Sequence, residues 1–180
     1  MKRSLGIGQW VRRGLGAAVL VAATALPAGA AGTGDTTAVI QLSGGTLDIS
    51  VPAGPVALAS GAVTETSVSG QLGTVTVTDT RAADPASWTA SVSATPFQNG
   101  SHSLGTETYD TGVVTSTGIP ISQFTITSPV TLSTTPQAVV ALNPTSSGNN
   151  SASWNPTITV AIPAGTIAGA YSAVITHSVI

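Results

Sequence analysis

Few side chains in this sequence could do chemistry. The histidines are His102 and His177, far apart in the chain. A histidine-based metal site needs His-x-x-x-His or Glu-x-x-His spacing, and neither residue meets it. Cysteine is absent, and the one lysine is Lys2. No Gly-x-Ser-x-Gly elbow marks a serine nucleophile. A Ser-His-Asp triad is a spatial arrangement, so the bare sequence leaves that route open without pointing to it.

Four of the seven carboxylates form two groups. Asp79 and Asp84 flank one loop, and Glu107 and Asp110 lie in a second polar stretch. Paired carboxylates are the machinery of glycosidases, and clustered ones can hold Ca²⁺. The Asp-x-Asp-x-Asp-Gly spacing of a calcium loop is missing from both. The plainer reading is that they are solvated acids keeping a nearly uncharged surface soluble. Arg81, between Asp79 and Asp84, can pair with either through a two-pronged contact and pin the turn before Trp88. These residues predict no enzyme, no metal and no cofactor. If recognition residues exist, the candidates are Asp84, Glu107, Tyr109 and Asp110, because binding groups collect on exposed loops. Trp88 and Tyr171 are phased with small apolar residues and read as core. Trp154 opens a strand and could face either way. Tyr109 is the one aromatic in a presumed loop, so no row of stacking rings is visible.

The first thirty residues have the order of a secretory signal peptide. Lys2, Arg3, Arg12 and Arg13 are basic, residues 15–26 are small and apolar, and Ala28-Gly29-Ala30 is a small-x-small cleavage site. The apolar run is short for a span of about 20 residues. Gly14-Leu15-Gly16 fits a twin-arginine route poorly, which favours general secretion. Removing this segment leaves Arg81 as the sole basic residue against seven acids, a formal charge of −6. A nucleic-acid binder needs a Lys/Arg stripe against phosphates, so that class is excluded. Attraction to anionic lipid fails on the same ground. No membrane span is expected after cleavage. Residues 31–37 read as a loose leader and 38–180 as one domain, long enough for a hydrophobic core. With no cysteine there is neither a disulfide nor a lipid-anchor site, and no C-terminal sorting motif supports covalent attachment to a wall.

The elements expected to position these side chains are strands. Thr, Ser, Val, Ala and Gly dominate, and β-branched residues favour extended backbone. Leu47, Ile49 and Val51 alternate, as do Val75 and Val77, and Trp88, Ala90, Val92 and Ala94. Further strands are expected at residues 38–42, near Phe124 and Ile126, near Val130 and Leu132, and at 138–142. Residues 56–65 are ambiguous, 101–118 read as an exposed excursion, and 143–150 as a turn-rich loop. Residues 154–180 read as a closing hairpin. Its first strand carries Ile158, Val160 and Ile162, and its second Tyr171, Ala173, Ile175, His177 and Val179. Short strands with turns every 8–12 residues predict an all-β fold, a sandwich or barrel.

Two stretches carry a family resemblance. One is Leu72-Gly73-Thr74-Val75-Thr76-Val77-Thr78-Asp79-Thr80-Arg81 running into Trp88-Thr89-Ala90, with Phe97 beyond. The other runs from Trp154-Asn155-Pro156-Thr157 through Ile162-Pro163-Ala164-Gly165 and Gly169-Ala170-Tyr171 to Thr176-His177-Ser178-Val179. Together they resemble the WxL cell-surface domain of Gram-positive bacteria, in its actinobacterial form. Asp79, Arg81, Trp88, Trp154, Tyr171 and His177 fall on the motif positions. The sequence departs from the family at Ala90, where Trp-x-Leu has leucine, and at His177 and Val179, where the second motif has Trp-x-Leu. The resemblance implies a single antiparallel β-sandwich of immunoglobulin-like or WxL-like kind. It implies a secreted, non-enzymatic protein bound noncovalently to peptidoglycan or another wall glycan. The alternative is an interaction module or adhesin in a multi-protein surface complex, with other surface proteins as partners.

Overall fold

The computed structural model describes residues 34–180. The signal peptide read at residues 1–30 lies outside the described residues. Fourteen strands follow in chain order: β1 Leu47–Ser50, β2 Ser67–Gln71, β3 Val75–Asp79, β4 Ala86–Ala94, β5 Gln98–Asn99, β6 His102–Ser103 and β7 Glu107–Asp110. The remainder are β8 Thr115–Thr117, β9 Phe124–Ile126, β10 Val130–Thr131, β11 Gln137–Ser146, β12 Asn150–Trp154, β13 Thr157–Ala161 and β14 Ile175–Val179. A single turn of 3₁₀ helix at Ile121–Gln123 is the only helical element among the described residues. The fold is all-β. Its strands form three four-stranded antiparallel sheets, ordered β1-β3-β12-β8, β10-β7-β13-β2 and β14-β4-β11-β9, with β5 and β6 as a small ribbon.

Period-two hydrophobicity builds the core. On β4 the side chains of Ala86, Trp88, Ala90, Val92 and Ala94 are buried, while those between them are half-buried or exposed. β3 buries Val75 and Val77, and β13 buries Ile158 and Val160. Each fully buried Val, Ile or Leu contributes about 1.5–3 kcal/mol. A one-residue slip of β4 would turn its whole inward row to solvent. The buried rows of the three sheets join in one core cluster, in which Trp88 meets Phe124 edge-on at 5.6 Å between ring centroids.

Several expectations are corrected. Residues 38–42 form no strand, and Val39 and Leu42 are 80% and 92% exposed. An apolar run becomes a strand only where a neighbour can pair its backbone. Here the first ladder contacts come later, at Gly45 and Thr46 against Thr80. The closing hairpin does not exist. β13 pairs with β2 and β7, whereas β14 pairs with β4 in another sheet. Residues 162–174 are too long a connection for a tight turn, and they carry the chain from one sheet to the other.

Trp154 ends β12 rather than opening the next strand. Burial continues in phase from Ala152 through Trp154 and Pro156 to Ile158. The chain therefore passes straight from one sheet into another, and Pro156, which lacks an N–H, marks the crossing. The expected 143–150 loop is largely strand, because β11 continues to Ser146 past a register shift. The expected 101–118 excursion contains β7 and β8, with Glu107, Tyr109 and Thr111 buried in alternation. Its period was hidden because the inward residues are polar or amphipathic.

Candidate functional site

Three polar clasps are set into the apolar core. Asp79 closes β3, and its carboxylate is fully buried. Arg81 Nε and Nη2 donate to Asp79 Oδ1 and Oδ2, both at 2.9 Å, and Nη2 also donates to the Ser87 carbonyl at 2.8 Å. The Arg81 hydrogen bonds hold the Asp79 carboxyl below its ordinary pKa against the opposing cost of burial. Arg81 thus chooses Asp79 over Asp84 and fastens the turn that leads into β4. Asp84 itself is exposed.

The second clasp joins β4 to β12. Trp88 Nε1 donates to Asn150 Oδ1 at 2.8 Å, and Asn150 Nδ2 donates to the Gly148 carbonyl. A buried indole N–H needs an acceptor, and Asn150 supplies it.

The third clasp links one strand from each sheet. Trp154 Nε1 on β12 donates to the Tyr109 hydroxyl on β7 at 2.7 Å, and that hydroxyl lies 3.0 Å from His177 Nε2 on β14. Indole nitrogen can only donate. The arrangement that pairs both the indole and the phenol hydrogen has Tyr109 accepting from Trp154 and donating to His177 Nε2. His177 is then the neutral tautomer protonated on Nδ1. Burial pushes the imidazole pKa down to about 4, consistent with the neutral ring. Burial also raises the Tyr109 pKa well above the ordinary phenol value, so its proton stays on.

The four candidate recognition residues do not share a surface. Glu107 and Tyr109 point into the core, and Asp110 points the other way, as odd spacing on a strand requires. Tyr109 is fully buried, which corrects its reading as a loop aromatic. Glu107 Oε1 accepts from the Phe97 N–H at 2.8 Å, and burial raises its pKa. Asp110 is exposed, accepts from Gly112 N–H and Ser128 Oγ, and has a pKa lowered by those bonds. Opposite faces also deny Glu107 and Asp110 the shared gap that a carboxylate pair needs for glycoside hydrolysis. Tyr171, expected in the core, is only half-buried, and its hydroxyl donates to the Ile167 carbonyl at 2.9 Å.

The sequence reading missed a cavity of about 930 Å³ between residues 51–63, β2, β13 and residues 166–177. Leu58, Val68, Phe97, Ile158 and Val160 line it together with Tyr171 and His177. Gly70 lets the covering segment lie close. A Cβ there would strike the Leu58 carbonyl. Nothing local in residues 52–63 announces a wall, since they form no strand and have no regular period. The smaller cleft, about 460 Å³, includes Pro96, Leu104, Glu107 and Thr131.

The chain matches no protein-family model, no curated protein and no solved structure.

Proposed function

We propose that this chain is a secreted, WxL-like β-sandwich held noncovalently at a Gram-positive cell wall, where it binds rather than catalyses. The observation that carries the reading is the pairing of its two motif tripeptides. Trp88-Thr89-Ala90 lies on β4 and His177-Ser178-Val179 on β14, and the strands align so that Ala90 faces Val179 directly. Paired residues share a face, so Ala90, Val92, His177 and Val179 pack on one inner surface. The Asp79–Arg81 clasp supports the same reading, because it fixes the turn that delivers the first tripeptide. On this view the motif residues specify the sandwich and do not touch the wall.

The wall-facing surface would be the outer side of the same two strands. Ser91 lies opposite Ser178, and Ser93 opposite Thr176. These hydroxyls form a neutral donor and acceptor ladder suited to glycan hydroxyls and amides. Residues 82–85, with exposed Asp84, lead into β4. Sedimentation of the secreted protein with purified peptidoglycan tests the proposal. Binding above a bovine-albumin control is expected, reduced when Ser91, Ser93, Thr176 and Ser178 are changed together to Ala. Equality with albumin removes the reading. Sedimentation only in the presence of co-secreted proteins assigns the chain instead to a multi-protein surface complex.

A further inference from the structure

We propose that the cavity between residues 51–63, β2 and β13 binds an uncharged, single-chain aliphatic molecule carrying one hydrogen-bond acceptor, seated against His177. Its volume, about 930 Å³, falls within the usual range of small-molecule sites. The lining is dominated by aliphatic side chains and contains no Asp, Glu, Lys or Arg. A charged ligand would lose its water there and find no counter-charge. Aromatic lining is limited to Phe97 and Tyr171 besides the imidazole, which suits a flexible chain better than a flat ring system. The rim residues Val56, Val63, Ile167 and Val174 are exposed, so the cavity is open to entry.

The polar end of the ligand is chosen by the third clasp. Tyr109 occupies His177 Nε2, which leaves the proton on Nδ1. Nδ1 has no hydrogen-bond partner among the described residues. Ser146 Oγ is the one fully enclosed side-chain polar atom left unpaired among them. His177 Nδ1 is therefore not sealed in, and the ring borders the cavity. The ring offers one N–H of fixed direction beside the hydroxyls of Ser60, Ser69, Thr166, Tyr171 and Ser172, of which those of Thr166 and Tyr171 already donate to backbone carbonyls. An ester, amide or ether oxygen near the end of an aliphatic chain completes it. A hydrocarbon fills the chamber without using the donor, and a carboxylate brings a charge that nothing neutralises.

The test is displacement of Nile red from the secreted protein by methyl decanoate, undecane and sodium decanoate at pH 8. Methyl decanoate is expected to displace the dye at one molecule per chain. Undecane should be weaker by roughly twofold to twelvefold, the usual worth of one hydrogen bond, and decanoate weaker still. His177→Phe should erase the advantage of the ester over undecane while Nile red still enters. Val56→Asp, at an exposed rim position, should weaken dye and ester alike with an unchanged circular dichroism spectrum. This variant guards against the chance that replacing His177 unfolds the core. Failure of Nile red to bind, equal displacement by ester and undecane, equal displacement by ester and decanoate, or an ester advantage that survives His177→Phe would each overturn the proposal.

Discussion

Acidification is expected to destabilise the fold through His177. In the folded protein burial lowers the imidazole pKa from 6.5 to about 4. The unfolded chain binds a proton below about 6.5 and the folded chain does not until about 4, so stability falls as pH drops through this window. The stabilisation is complete above pH 6.5 and has gone below about 4. Each unit of difference corresponds to about 1.36 kcal/mol, which gives a loss of about 2 kcal/mol at pH 5 and about 3 kcal/mol in full. The structural event is protonation of Nε2, which removes the acceptor that Tyr109 uses. Tyr109 stays neutral throughout, because burial raises its pKa.

The carboxyls act differently. The depressed values of Asp79 and Asp110 place their losses lower, as pH falls from about 3.8. Glu107, raised by burial, works in the opposite direction, gaining stability as the pH falls. All three are common to a His177→Gln variant, whose amide oxygen can still accept from Tyr109. Urea unfolding of both proteins at pH 8 and pH 5 isolates the histidine. The wild type should lose about 2 kcal/mol more than the variant over that interval. Parallel pH profiles would refute the reasoning. An imidazole proton on Nε2 in a nitrogen-resolved NMR spectrum at pH 7 would refute the tautomer on which it rests.

Three further outcomes follow from single contacts. Trp88→Phe keeps the edge contact with Phe124 but strands the Asn150 carbonyl oxygen, and should cost about 1–3 kcal/mol in denaturant unfolding. Arg81→Lys loses the fork to Asp79 and the reach to Ser87. Because the guanidinium is 35% exposed, the expected cost is only about 1 kcal/mol, and added salt should shrink it. Gly70→Val drives a side chain into the Leu58 carbonyl. It should weaken Nile red binding in the cavity before it alters hydrogen exchange at β3 or β4, and unchanged dye binding would show that Gly70 does not set the closeness of this segment.

Legibility followed the simplicity of the inward row. β3 and β4 were readable because every inward position from Val75 to Val77 and from Trp88 to Ala94 is apolar and every outward one is Thr or Ser. β7 was not, because its inward residues are Glu107 and Tyr109, types that a hydropathy pattern assigns to the surface. Their burial is affordable only because Phe97, Trp154 and His177 supply hydrogen-bond partners from other parts of the chain. The same holds for Asn150 beneath Trp88. A buried indole announces that it needs an acceptor but not which residue will provide it.

What the amino-acid order determined alone was the class of structure: an all-β chain without thiol chemistry, nearly free of positive charge outside its first thirty residues, with β4 facing inward at Trp88. Alternation and composition are local quantities, and a single strand expresses them wherever it lies. Tertiary structure decided that β13 and β14 part company, that Tyr109 joins Trp154 to His177, and that residues 51–63 roof an apolar chamber. Those outcomes depend on which strands become neighbours. That choice is made by long-range backbone pairing and by the matching of buried donors to acceptors, neither of which is written in any one stretch.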